Sequence, residues 1–145
     1  MILKYINVKK STEALLRDWY NQSWRLKSKD MEIEEINARL TNTTSKLSAA
    51  PSHGGGNKVE EAIVEGIYRK DALEEGERQA EEYFAELLPA WEQLTDEERE
   101  ILTSRFIERD GNVFKIMKRL HIEKSEAYRR SDAAIEHLAR LLYWR

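Results

Sequence analysis

Among its 145 residues the chain has no cysteine, two prolines and six glycines. Without cysteine there is no disulfide framework, no thiolate zinc site and no cysteine nucleophile. No apolar run approaches the roughly 20 residues that a membrane-crossing helix needs. The start, MILKYINVKK, has too short an apolar stretch for a signal peptide and carries a lysine inside it. The common catalytic signatures are missing as well: there is no His-x-x-x-His, Gly-x-Ser-x-Gly or Asp-x-Asp. The three histidines, His53, His121 and His137, lie far apart in sequence. Paired acids such as Glu60-Glu61, Glu74-Glu75 and Glu97-Glu98 sit where a helix would present them to solvent, with no apolar pocket to tune them. The expectation is a cytoplasmic protein, not an enzyme, with no cofactor and no metal.

What the chain does have is charge, at 35% of residues, and hydrophobic periodicity of the helical kind. Residues 60–100 hold fifteen acids against four bases, a balance of −11, whereas residues 115–145 hold eight bases against four acids, a balance of +4. Affinity for nucleic acid depends on the patch that faces the phosphates, so a net charge of −3 does not exclude it.

In the amino-terminal half, Trp19, Leu26, Ile33, Leu40 and Leu47 recur every seventh residue, with Leu15 and Ile36 on a second stripe that Gln22, Lys29 and Thr43 interrupt. This predicts a long helix, capped at Ser11 or Thr12 and ending near Leu47. Residues 48–58, SAAPSHGGGNK, read as a flexible loop. A phosphate-binding loop is disfavoured there, because no strand precedes it and Lys58 is not followed by serine or threonine. Val59, Gly66, Leu73, Ala80, Leu87 and Leu94 then repeat the seven-residue spacing, with Ile63, Phe84 and Trp91 beside them. Residues 1–93 are therefore expected to form an antiparallel helical hairpin. Pro89 is expected to kink or restart the second helix. Gly66 and Gly76 either weaken it or admit another helix closely. Glu74, Glu75, Glu77, Glu81, Glu82 and Glu86 read as a solvated face, or as a surface for a basic partner.

From Leu94 the pattern changes to three short helices. Thr95 and Glu98 have the spacing of a capping box, and Ile101, Leu102, Phe106 and Ile107 supply the apolar stripe. Asp110-Gly111 should end the helix through a left-handed glycine. Asn112 caps a second helix that buries Val113, Phe114, Ile116, Met117 and Leu120. After His121-Ile122-Glu123 a third helix begins near Lys124-Ser125, with Ala127, Ser131, Ala134, Ile135, Leu138, Leu141 and Leu142 on one face. The aromatic end, Leu141 to Trp144, is expected to pack back on the bundle near Leu94 or Phe106. A short helix, a tight turn and a helix with basic and polar residues at its start form a helix-turn-helix pattern. Lys124, Ser125, Glu126, Tyr128, Arg129 and Arg130 would reach base edges or phosphates, and Lys115, Lys118 and Arg119 would approach the backbone. An ordinary three-helix bundle with a solvated charged face is the alternative.

The residue order LTDEEREILTSRF, KIMKRLHI and KSEAYRR, followed by AIEHL, resembles region 4 of the sigma-70 family. It resembles more particularly the small sigma-region-4-like phage regulators of the ArpU and RinA type. Lys124, Ser125, Tyr128 and Arg129 match the family's pattern after the turn, and PSHGGGNKVEEAI is similar to a loop that some members carry. Glu123 and Glu126 depart from it, standing where serine and threonine are usual. The seven-residue stripes and the resemblance together give the expectation of an all-α fold, with the hairpin at 1–93 and a helix-turn-helix domain at 94–145. The resemblance implies regulation of phage or prophage genes through double-stranded promoter DNA, with RNA polymerase as a further partner, and the apolar stripes of the hairpin would allow a homodimer. A small terminase subunit that recognises packaging DNA, and a module that binds a protein through its acidic helix, are the alternatives.

Overall fold

The computed structural model describes residues 7–49 and 56–144, and every regular element among them is helical. They form α1 (Val8–Arg17), α2 (Trp19–Ala49), α3 (Gly56–Glu92), α4 (Asp96–Leu102), a π-helical turn (Thr103–Ile107), α5 (Val113–Leu120) and α6 (Lys124–Tyr143). The expected all-α architecture is what the chain adopts. Most of the predicted loop at 48–58, including Pro51 and His53, lies outside the described residues, while Gly56 already opens α3.

The start of the first helix differs from expectation. Asn7, not Ser11 or Thr12, is the cap, accepting from the Lys10 amide at 3.0 Å. Thr12 is fully buried inside α1, and its hydroxyl donates to the Val8 carbonyl at 2.7 Å. A one-residue interruption at Asp18 separates α1 from α2, and its amide is shared between the Ala14 and Leu15 carbonyls. The apolar period runs straight through this break, so the sequence pattern does not mark it.

The chain divides into two compact units. One is Ser23–Glu81, and the other comprises the described residues of Met1–Gln22 together with Glu82–Arg145. This division differs from a boundary at 93/94, because the end of α3 and all of α1 pack with the three C-terminal helices.

In Ser23–Glu81 the two helical stretches run antiparallel. Leu40 lies against Gly66, and further along the pair Arg25 lies nearest to Gly76. The two glycines play different parts. A Cβ at Gly66 would sit 2.7 Å from Leu40 Cδ2, so Gly66 admits a close neighbour, whereas a Cβ at Gly76 would meet nothing nearer than 3.9 Å. Ile36 is buried here, and Glu74, Glu75 and Glu81 are exposed, as a solvated face requires.

The second unit is built around Leu16 of α1, Leu87 and Ala90 of α3, Leu102 of α4, Phe106 of the π turn, and Ala134, Ile135 and Leu138 of α6, together with Leu94. Fully burying each large aliphatic side chain stabilises the unit by about 1.5–3 kcal/mol. Trp19 packs edge-on to Phe84 and tilted against Trp91. The Tyr83 hydroxyl donates to the Leu15 carbonyl, and burial, then the charge of Asp18, raises its pKa above the ordinary phenol value. α3 runs through Pro89 to Glu92 instead of restarting there. It ends in two tightened turns, Gln93 N to Ala90 O and Leu94 N to Trp91 O, both at 3.1 Å. Leu141 and Leu142 pack on this core, but Tyr143 and Trp144 are exposed, so only half of the aromatic end folds back.

Candidate nucleic-acid interface

α4 begins with the predicted capping box. The Glu98 amide donates to Thr95 Oγ1 at 3.2 Å, and the Thr95 amide donates to Glu98 Oε1 at 3.0 Å. The other Glu98 oxygen lies 2.7 Å from His137 Nδ1 on α6, so one carboxylate caps α4 and ties it to α6. Partial burial works to raise the Glu98 pKa. Hydrogen bonds from the Thr95 amide, His137 and the Thr95 hydroxyl outweigh it and leave the group below its usual value.

Where one continuous helix to Asp110 was expected, α4 gives way at Thr103 to the π turn, closed by the Glu108 amide on the Thr103 carbonyl at 3.0 Å. Gly111 is needed for proximity and not for a left-handed backbone. A Cβ there would lie 2.5 Å from the Arg105 carbonyl oxygen and 2.9 Å from that of Ser104. The left-handed position falls instead at His121 (φ 54°, ψ 48°), which ends α5. Histidine is one of the few side chains that visits this region with some frequency.

α5 is capped by Asn112, whose side chain accepts from the Lys115 amide at 3.2 Å. Val113 and Ile116 are buried with Ile101 and Ala127, and Met117, Leu120 and Ile122 pack around them. Phe114, expected in that stripe, is instead 61% exposed. Positions 113, 116, 117 and 120 complete a helical stripe without it. The Lys124 ammonium lies 5.6 Å from the centre of the Phe114 ring, a cation–π distance that joins the starts of α5 and α6.

α6 follows His121 after only Ile122 and Glu123, and Ala127, Ser131, Ala134, Ile135 and Leu138 are all buried, as predicted. Its opposite face presents Lys124, Ser125, Tyr128 and Arg129 to solvent. The Tyr128 ring is backed by the Arg105 guanidinium at 5.0 Å, and Arg105 also donates to the buried Ser131 hydroxyl at 2.7 Å.

The nine candidate residues thus fall into two groups. Lys118, Lys124 and Ser125 are exposed on α5 and the start of α6, with Tyr128 beside them. The others are drawn into ion pairs. Glu108 accepts from Lys115 Nζ at 3.0 Å and from Arg119 Nη1 at 2.7 Å. Arg119 also donates to the buried Ser104 hydroxyl at 2.5 Å. Hydrogen bonds from Arg119, then Lys115, hold Glu108 below its ordinary pKa. Glu126 binds both Arg129 and Arg130, and Arg130 reaches on to Glu97 of α4. Glu97, Arg105, Glu108 and Phe114 are the participants that sequence reasoning missed. Phe114 was recoverable from strict helical spacing. The partners of Glu108 lie across the Gly111 turn, where no local period connects them.

Among the described residues no group of three or more histidines, aspartates or glutamates is placed to hold a metal ion, and no helix is long and apolar enough to cross a membrane. No protein-family model, curated protein or solved structure matches the chain.

Proposed function

We propose that the protein is a sequence-specific DNA-binding transcriptional regulator that inserts the start of α6 into the major groove. The observation that carries this reading is the α5–α6 unit itself. A three-residue connection with a left-handed His121 leads into a helix that buries Ala127, Ser131, Ala134 and Ile135 while Lys124, Ser125, Tyr128 and Arg129 face outward. A major groove admits one helix, and side chains from its first turns meet the base edges. Lysine and arginine suit guanine or phosphate, and serine and tyrosine suit phosphate or base. The similarity to sigma-region-4-like phage regulators extends the proposal to phage or prophage promoters, with RNA polymerase as a further partner.

The test is a binding selection on fragmented phage and host DNA at low and moderate salt, comparing the wild type with Lys118→Ala/Lys124→Ala. The expected result is enrichment of a promoter-proximal site by the wild type and its loss in the double variant. Enrichment of a packaging-region site would replace this reading with that of a small terminase subunit. Equal behaviour of the two proteins, with nothing enriched, would make α5–α6 scaffolding and direct attention to the acidic stretch of α3.

A further inference from the structure

α6 carries, within its first two turns, both the cations that would meet DNA and an acid that neutralises them. Arg129 grips Glu126 with two nitrogens, Nε to Oε2 at 2.8 Å and Nη2 to Oε1 at 2.5 Å. Arg130 Nε donates to the same Oε1 at 2.8 Å, and its Nη1 donates to Glu97 Oε1 at 2.6 Å. One carboxylate therefore holds Arg129, and two hold Arg130. Hydrogen bonds from Arg129 first, then Arg130, lower the Glu126 pKa to about 2, so it is ionised throughout the neutral range.

A guanidinium fork that already grips a carboxylate cannot grip a phosphate or a guanine edge with the same two nitrogens. Swapping Arg129 from Glu126 to a phosphate leaves a bare carboxylate beside the DNA. The exchange gives up the two charge-assisted bonds of the Arg129–Glu126 pair for those to a phosphate, so a random phosphate gains little from it. The swap becomes favourable where base contacts compensate, and a freed Glu126 is itself suited to accept from a cytosine amino group.

We infer that Glu126 sets the specificity of the DNA-binding helix by clamping Arg129 and Arg130, so that random phosphates gain little from them. This inference rests on the DNA-binding reading above and adds a regulatory role for an acid on the recognition helix.

The test measures affinity for a random-sequence duplex by fluorescence anisotropy across a salt series, with circular dichroism confirming that each variant is folded. Glu126→Gln frees Arg129 while Glu97 still holds Arg130. One added phosphate contact steepens the plot of log K against log salt by about 0.9, an extra loss of about 3.5-fold between 50 and 200 mM salt. Glu97→Gln/Glu126→Gln frees both arginines and steepens it by about 1.8, an extra loss of about 12-fold. In an Arg129→Gln/Arg130→Gln background, Glu126→Gln should leave the slope unchanged.

An unchanged slope in Glu126→Gln, with the wild type binding the duplex, overturns the clamp and leaves the DNA-binding reading standing. A steepening that persists without the two arginines also overturns it, because Glu126 would then act only as a repelling charge. Failure of every protein to bind any duplex at low salt removes the DNA-binding reading and the clamp together.

Discussion

Gly111→Ala isolates the turn that brings α5 against α4. The new Cβ would stand 2.5 Å from the Arg105 carbonyl oxygen, 2.7 Å from its carbon and 2.9 Å from the Ser104 carbonyl oxygen. All three are backbone atoms of the π turn, so no flexible side-chain end can move aside. The turn has to open. The Asn112 amide would then lose its 3.2 Å bond to the Ser104 carbonyl, and Asn112 is the cap of α5. Overpacking of this kind costs about 1–3 kcal/mol, and the lost hydrogen bond costs about 1 kcal/mol. The smaller entropy of the unfolded alanine chain returns about 0.4–1 kcal/mol. The net destabilisation is roughly 2 kcal/mol, which lowers a urea midpoint by about 1 M at a typical slope. Urea unfolding followed by circular dichroism reads this directly, and Gly76→Ala is the internal control. Gly76 lies in the interior of α3 with no atom closer than 3.9 Å to the built Cβ, so alanine there should stabilise by about 0.5–1 kcal/mol. A Gly111→Ala protein as stable as the wild type would refute the close approach, and with it the reason given for glycine at this turn.

Leu102→Ala empties a fully buried position where α4 meets α1, α3 and α6, and thermal or urea unfolding should show a loss of about 2–5 kcal/mol. Glu98→Gln should alter how stability depends on pH. The Glu98 pKa is lower in the folded than in the unfolded protein, so its contribution is present above the unfolded value of about 4.5 and is lost as pH falls through the lower folded value. A series of melts from pH 7 to pH 3 should show the wild type losing stability in that window more steeply than Glu98→Gln; parallel curves would mean that the link to Thr95 and His137 contributes nothing.

What could be read in the sequence was local. The Thr95/Glu98 box, the Asn112 cap and the inward positions of α6 each depend on residues three or four apart, and a helix enforces that spacing wherever it occurs. Ala80, Leu87 and Leu94 are buried at the seven-residue interval that singled them out. Three of the misses share a different cause. Asp18, Pro89 and the π turn all sit beside the core that α1 and the end of α3 build with α6, where tertiary packing outweighs local preference. Pro89 is tolerated between the buried Leu87 and Ala90, in a helix held there on its neighbours. The glycine rule misled at Gly111 because glycine serves two purposes, a positive φ and the absence of a Cβ, and sequence alone does not distinguish them. The engagement of Lys115, Arg119 and Arg130 was hidden for the same reason as the fold errors, since Glu108 and Glu97 belong to other segments.

α6 is held by different partners along its length, and this bears on how its first turns are presented. Ala127 belongs to the small core with Val113 and Ile116, whereas Ala134, Ile135 and Leu138 belong to the core that holds Leu16 and Leu87. Lys9 on α1 reaches Asp132 at 3.0 Å, Arg105 reaches Ser131 at 2.7 Å, and His137 meets Glu98 at 2.7 Å. The middle of α6 is therefore fixed from α1, the π turn and α4. A binding surface built on a helix is only as well positioned as the elements that hold that helix. Three helices beginning at Leu94 account for the buried face near Ala127, but the half of α6 beyond Ser131 packs on Leu16, Leu87 and Ala90, which precede Leu94, as well as on Leu102 and Phe106. The unit that presents Lys124, Ser125, Tyr128 and Arg129 is thus larger than a helix-turn-helix, and α1 is part of it although no motif in α1 suggests so.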